Sequence, residues 1–539
     1  MAEAYKEYFS SVYTSPTDDE IIHNSDSNIS INSIDLVKVH YISQVDIENS
    51  IRKLKASTSA GLDLIPPFVI KANIDNFIYP LLILFNLSLS TGIFPDIWKT
   101  SKIIPVYKKG NKSDIKNYRP IAILSGFAKV FESVICNKLS PQIHHLISPD
   151  QHGFIKKRST ATNLLCLNSV ISNALKTNQQ LDVIYTDFSK AFDTVNFEIL
   201  LTKLLKIGFD LNLLTWLRSY LIRRPLFVKY KSALSNAFFG TSGVPQGSIL
   251  GPMLFNLFIN DIVTNFQSCL LFADDLKIFR CISSSYDCEI LQFELNKLNN
   301  WCHQNKLFLN IDKCFVLTFT RKLNPILNNY TINNYSISRT SFIKDLGVMY
   351  ESKFTFNLHV QHITKNANKK LGMLKRTTCN FTDISVLFSL FNSLVRHVLI
   401  YNCVIWNPYN KSLIVTIKKI LNKFVRYISF KTNNHLPTFS SLPKCTLECR
   451  RSVSVFKFFY DILNNNIDCP SLLQLLNLYA PKHITRNNIV LRKTHYSKNY
   501  FNNQSISHFI DLVNNLPSHS DIFFDTFPKL KCDIISLFL

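Results

Sequence analysis

The chain has 539 residues, 46% of them hydrophobic, and carries 60 Lys or Arg against 37 Asp or Glu, a net charge of +23 with an isoelectric point near 9.4. Length and apolar content exclude a disordered tail and allow two to four domains with cores of their own. The basic balance points to a polyanionic partner, nucleic acid or an anionic membrane, although a composition rich in Lys, Asn, Ile and Phe is also what an AT-rich genome produces.

Residues 1–88 read as an N-terminal extension with polar, Ser- and Asn-rich stretches and an amphipathic segment around Ile47 to Leu54. The opening MAEAYKEYFSSVYT has no basic stretch followed by an apolar one, and no run of 18 apolar residues follows anywhere. Secretion and membrane spanning are therefore not expected, and an intracellular protein is. Thirteen cysteines are scattered, with one Cys-x-x-x-Cys at Cys445 and Cys449 and no second pair to complete a zinc site, so they read as reduced thiols.

A strand is expected at Ile103–Tyr107, a turn at Lys108–Asn111 and a second extended stretch from Asn117 to Leu124, a hairpin-like element flanked by Lys108 and Arg119. Helical periodicity covers Phe127 to Leu146 and resumes after Ser159–Thr162. The run Asp182–Asp187 predicts a short strand whose apolar stretch ends on an acid, followed by a helix over 188–205. Only twelve glycines occur, and four fall between Gly240 and Gly251, so the loop Ser242–Pro252 is where backbone must bend or approach something closely before a helix reaching Ile262.

Leu270–Phe279 then reads as two apolar arms joined by Asp274 and Asp275. Aspartate is a common turn residue. Arms this apolar, however, imply a buried hairpin that forces two like charges together, which is costly without a cation nearby. Asp187, at the end of another strand, supplies a third acid, and three carboxylates on adjacent strands can hold two magnesium ions. A helix follows from Cys288 to Asn305 and a strand at Phe315–Phe319. Beyond Leu346-Gly347-Val348, residues Val360, Ile363, Ala367, Leu371 and Leu374 form an apolar stripe, with Lys365, Lys369, Lys370 and Arg376 off it. Residues 351–431 hold thirteen Lys or Arg against two acids, a density that suits tracking of phosphates as well as a solvated face. Residues 432–539 read as mostly helical, without repeats.

The ordered set YTDFSKAFD (185–193), SGVPQGSILGP (242–252), FADD (272–275), Lys313 and LGV (346–348) resembles the motif series of reverse transcriptases. The flanking text VYKKGNKSDIKNYRPIAIL, DQHGFIKKRST and LVRHVLIYNCVIWNP resembles the non-LTR retrotransposon branch, jockey-like elements in particular. The resemblance implies an α+β right-hand polymerase with fingers and a palm bearing an antiparallel sheet over 89–350, a basic helical thumb over 351–430 and a helical C-terminal region over 431–539. It implies that Asp187, Asp274 and Asp275, with the Phe188 carbonyl, ligate two Mg2+ ions, or Mn2+ in their place, and that Lys313 protonates pyrophosphate. Phe192 matches a gate against the ribose 2′-OH, Gln246 and Gly247 a loop against the incoming nucleotide, and Lys108 and Arg119 a grip on its triphosphate.

The implied partners are an RNA template, a DNA primer or target, and dNTPs, in the cytoplasm and nucleus, with no membrane. Asp193 is expected to cap or brace the following helix. Two departures stand out: ASTSAGLDLIP (56–66) keeps Asp63 but lacks the family's Pro-Gly, and Lys156 stands where Arg is usual. The resemblance also implies an endonuclease upstream, so the chain reads as a piece of a longer element. Competing readings are a decayed nucleic-acid-binding remnant and a splicing maturase.

Overall fold

The computed structural model describes residues 1–13, 37–432, 446–479, 489–493, 502 and 504–538. Its strands in chain order are β1 (Ser101–Tyr107), β2 (Tyr118–Ile123), β3 (Gln180–Thr186), β4 (Arg224–Tyr230), β5 (Ala233–Leu234), β6 (Phe238–Gly240), β7 (Cys269–Phe272), β8 (Asp275–Ile282), β9 (Phe315–Phe319), β10 (Thr331–Ile332), β11 (Tyr335–Ser336), β12 (Ser338–Thr340), β13 (Phe342–Asp345) and β14 (Val348–Glu351). Helices outnumber them, so the fold is mixed α+β.

The central sheet runs β12-β9-β3-β8-β7. Strand β3 lies in its middle, antiparallel to both β8 and β9, and all seven of its residues are buried. Alternation along the strands divides the apolar side chains between two cores. Ile184, Ile278 and Val316 face a layer built from helices Gln44–Lys53, Ile74–Thr91, Gly126–Ile143 and Leu250–Ile259. Val183, Phe279 and Leu317 face the opposite layer, where Thr160–Lys176, Asn357–Thr377, Lys411–Lys431 and Leu447–Leu463 pack. The first core includes Ile47 and Phe85, and the second joins Val348 to Val360 and Phe456, so packing is continuous across residues 88, 350 and 430. A second sheet, β2-β1-β4-β5 with β6 on β4, rests on Tyr5 and Phe9 of helix Ala2–Ser10.

Three expectations change. No helix begins at 188: Phe188 pairs with Leu309, Lys190 takes φ 51, and the helix starts at Phe197, where the Asn196 side chain accepts from Ile199 N at 3.0 Å. One helix, Ile74–Thr91, is long and apolar enough to cross a membrane, although no unbroken apolar run occurs in it. It buries Ile78, Leu81, Phe85 and Leu89 in the first core while Tyr79, Ile83 and Leu87 are exposed. Cys449 is disulfide-bonded rather than reduced, whereas Cys445 lies outside the described residues. The other described cysteines are free thiols, most of them buried.

Two charged groups sit deep in the fold beside the acidic hairpin. Lys277 Nζ lies 2.7 Å from Asp345 Oδ2, both side chains almost fully buried, and donates to Asn163 Oδ1 at 2.5 Å. Asn163 in turn donates to the Leu271 carbonyl at 3.0 Å. The pair thus ties β8 to the end of β13 and to helix Thr160–Lys176. Removing one member leaves the other buried alone. Lys277→Met is expected to destabilise the protein by about 3–5 kcal/mol, and adding Asp345→Leu to recover most of that loss, as read by denaturant titration followed by tryptophan fluorescence.

Candidate active site

The register of the central sheet places the three aspartates at adjacent strand ends along one edge, without closing their side chains into a metal-binding group. Strand β3 pairs with β8 up to Thr186 opposite Leu276, and one step further sets Asp187 opposite Asp275. Strands β7 and β8 close at Phe272 opposite Asp275, leaving only Ala273 and Asp274 in the turn. The left-handed residue of that turn is Ala273, with φ 57, and not an aspartate. Turn chemistry therefore does not account for the acidic pair, since an alanine takes the conformation that aspartate would tolerate better.

Desolvation, with repulsion from Asp187 added, raises the Asp274 carboxyl above the ordinary range. Asp275 is the more open of the two to solvent, yet crowding by the strands and the neighbouring Asp274 charge push it up to about 6. Both shifts have the same origin: burial and neighbouring negative charge outweigh the opposing pull of Arg119 and Lys108 on Asp274 and of Lys277 on Asp275.

Positive charge approaches from two sides. Lys313 ends the short helical turn Ile311–Lys313 before β9, and its Nζ lies 2.8 Å from Asp187 Oδ2. Lys108 follows β1, its backbone N–H donating to Asn117 O at 2.8 Å, and Arg119 lies in β2 opposite Val106. Desolvation and the nearby Arg119 and Lys313 hold Lys108 below the usual lysine range, with Asp187 opposing. The β1–β2 hairpin therefore carries Lys108 and Arg119 within electrostatic reach of Asp187 and Asp274. The Asp187 carbonyl accepts from Asn310 N at 2.7 Å, and Ser189 N donates to Phe308 O at 2.8 Å. This pairing uses the neighbours of Phe188 and leaves the Phe188 carbonyl outside the ladder.

Phe192 is half-buried, stacked on Phe255 at 4.4 Å between ring centroids, with Phe154 edge-on at 6.0 Å. The Gln246 side chain turns away from the acids: its Nε2 donates to both Asp193 carboxylate oxygens, at 2.9 and 2.8 Å. The Gln246 carbonyl accepts from Ala122 N at 2.8 Å, and Gly247, at φ +117, lies so close to β2 that a Cβ would stand 2.4 Å from the Ala122 carbonyl oxygen. Glycine is required there on both counts. Asp193 caps no helix, since Asn196 does; it braces the glycine-rich loop, its carbonyl also accepting from Ser242 Oγ at 2.8 Å.

Lys365, Lys369 and Arg376 are exposed along one stripe of helix Asn357–Thr377. Lys370 is turned about 100° or more off that stripe by helical geometry, and its Nζ lies 3.3 Å from His397 Nε2. Lys156 is exposed, whereas Arg158 two residues on donates to the carbonyls of Ser148, Pro149 and Gln151 and pairs with Asp468 at 3.1 Å. Among the described residues no group of three or more His, Cys, Asp or Glu side chains is gathered as a metal cluster. Sequence reasoning passed over Gln151, Gly153 and Lys277, all packed around the hairpin; a glycine at 153 in so glycine-poor a chain was the one available signal.

The candidate site thus consists of three strand-end acids, Asp187, Asp274 and Asp275, with Lys108, Arg119 and Lys313 as the nearby positive charges. Residues 106–356 match the reverse transcriptase (RNA-dependent DNA polymerase) family model. It is 27% identical over 403 residues to a probable RNA-directed DNA polymerase from transposon BS of Drosophila melanogaster, covering 71% of this chain and 44% of that protein. It is 26% identical over 402 residues to the RNA-directed DNA polymerase from mobile element jockey of the same fly (71% and 43%), and 27% over 385 residues to that probably encoded by transposon X-element (68% and 42%). The chain thus spans less than half the length of these relatives.

The Asp193 carboxyl offers a test of the loop. Burial, against the opposing Gln246 bonds and the Lys190 and Arg119 charges, pushes it up to about 7. An unfolded aspartate titrates near ~3.9. The folded state therefore holds the proton longer, and the stability this confers is complete below pH ~4 and lost as pH rises through 7. Asp193→Asn should flatten this slope, so that its melting temperature relative to wild type rises between pH 5 and pH 8 in scanning calorimetry.

Proposed function

We propose that the chain is an RNA-directed DNA polymerase of the non-LTR retrotransposon type, extending a DNA 3′-OH primer on an RNA template. The observation that carries this reading is the placement of Asp187, Asp274 and Asp275 at adjacent strand ends within electrostatic reach of Lys108 and Arg119. Names of the relatives support the same activity. In this reading β1, β2 and their neighbours are the fingers, the central sheet is the palm, helix Asn357–Thr377 begins a basic thumb, and the helices beyond it form a C-terminal region.

The donor set suits magnesium or manganese, since carboxylate oxygens are hard ligands and the nearby Arg119, Lys108 and Lys277 do not offset the raised Asp274 and Asp275. Asp187, Asp274 and Asp275, with the Phe188 carbonyl, would hold two such ions. Bound there, they would lower the pKa of the attacking 3′-hydroxyl and neutralise the leaving pyrophosphate. Arg119 presents a fork that matches triphosphate oxygens and Lys108 adds a point charge beside it. Lys313, already at the acids, stands ready as proton donor to the leaving group. Phe192 flanks the sugar position and excludes a 2′-OH by bulk, while Gln246 and Gly247 shape the nucleotide side of the cleft. The implied workplace is the cytoplasm and nucleus, wherever template RNA and target DNA meet.

Primer extension on RNA and DNA templates tests the assignment. Asp187→Asn or Asp274→Asn should abolish extension with magnesium while template binding and melting temperature hold, because each removes a charge from the strand ends and little packing. Near-normal synthesis by either variant would refute the three-carboxylate site.

Lys365, Lys369 and Arg376 are proposed to follow template–primer phosphates. Replacing these three with Gln should lower the log–log salt slope of binding by roughly 0.7–0.9 per contact, whereas Lys370→Gln, directed at His397, should leave the slope unchanged. Affinities measured against salt concentration compare the two.

A further inference from the structure

The acidic turn holds a conformation that its own residues do not favour. Ala273 sits at φ 57, in the left-handed region where glycine is the usual occupant. Asp274 follows it directly, so any relaxation of Ala273 re-aims both carboxylates. Something outside the hairpin must hold the turn.

That role falls to the segment Asp150–Gly153. Gln151, 2% exposed, accepts through Oε1 from Ala273 N at 2.9 Å and from Gly153 N at 2.8 Å, and its Nε2 reaches the Ala273 carbonyl at 3.4 Å. The main chain adds a parallel bridge between Gln151 and Leu271, with Leu271 N donating to Asp150 O and His152 N to Leu271 O, both at 2.9 Å. Gly153 presses so closely that a Cβ there would lie 2.2 Å from Ala273 N. Arg158 anchors the clamp from behind through the Gln151 carbonyl, at 2.8 Å. One buried amide thus satisfies both polar groups of the strained residue, where either left unpaired would favour relaxation.

We propose that Gln151 is a positioning residue for the catalytic hairpin, holding Ala273 left-handed so that Asp274 and Asp275 face Asp187 in a metal-binding arrangement. This rests on the polymerase reading for its activity consequence, but not for its effect on cation binding. Groups that orient metal ligands from behind typically govern affinity or activity by roughly 10–100-fold.

The test uses the full chain, with Gln151→Met, which keeps volume and removes the hydrogen bonds, and Gln151→Met/Ala273→Gly, in which glycine takes the left-handed conformation unaided. Readouts are Mn2+ affinity by electron paramagnetic resonance, and kcat and KM for dNTP in primer extension. Gln151→Met should weaken Mn2+ binding and lower kcat by about 10-fold or more, with KM nearly unchanged. Adding Ala273→Gly should restore most of both, and also folding if the single variant fails to fold. Wild-type Mn2+ affinity in Gln151→Met would overturn the proposal. So would a double variant that stays unfolded or binds Mn2+ no better than the single, since Gln151 would then serve packing and not the turn. A wild-type protein that binds Mn2+ but extends no primer would count against the polymerase reading alone, and the clamp would be judged on Mn2+ affinity.

Discussion

Strand β3 is buried over its whole length between two helical layers, and it ends where Asp187 begins. A strand covered on both faces has one way to deliver a charged side chain to solvent, which is to place it past the last paired residue. The same holds for the β7–β8 hairpin, whose arms are apolar and whose acids stand at the turn. Three like charges are therefore set at adjacent strand ends by hydrophobic burial elsewhere, and the repulsion and desolvation felt by Asp274 and Asp275 are the cost of that arrangement. The rest of the site answers this concentration of charge: Lys313 at Asp187, and the basic hairpin with Lys108 and Arg119.

Rigidity around the acids comes from groups that never meet solvent. The Lys277–Asp345 pair and Asn163 tie β8 to the end of β13 and to helix Thr160–Lys176, and the Gln151 segment lies along β7. On the opposite side Asp193 holds Gln246, and Gly247 lets that loop lie flat on β2. Each of these contacts joins segments far apart in the chain, so the cleft is assembled by tertiary packing even though its acids come from short local motifs.

Legibility in the sequence followed the range of the interaction. The apolar run of β3 ending on an acid, the hairpin acids and the apolar stripe of helix Asn357–Thr377 are local patterns, and they reappear as elements of the fold. The helix expected from 188 failed because the pairing of Phe188 with Leu309, about 120 residues away, outweighs local propensity. Lys370 looked like a member of one basic face because a count of charges ignores helical angle. Asp193 looked like a helix cap because Gln246, its partner, is distant in sequence.

By itself the sequence determined which residue types could act together: three acids at strand ends, a basic hairpin and a glycine-rich loop, in an order that resembles the reverse transcriptase motif series. Composition and short-range pattern suffice for that, since each motif carries its residue types within a few positions. Which groups neutralise, orient or brace those motifs was decided only by the tertiary structure. Lys313 on Asp187, Gln151 on Ala273 and Asp345 on Lys277 are pairings between a buried or crowded polar group and whatever partner the packing brings within 3 Å. No local pattern encodes them, because the need for a partner arises from desolvation, and desolvation exists only once the two cores have closed on the sheet.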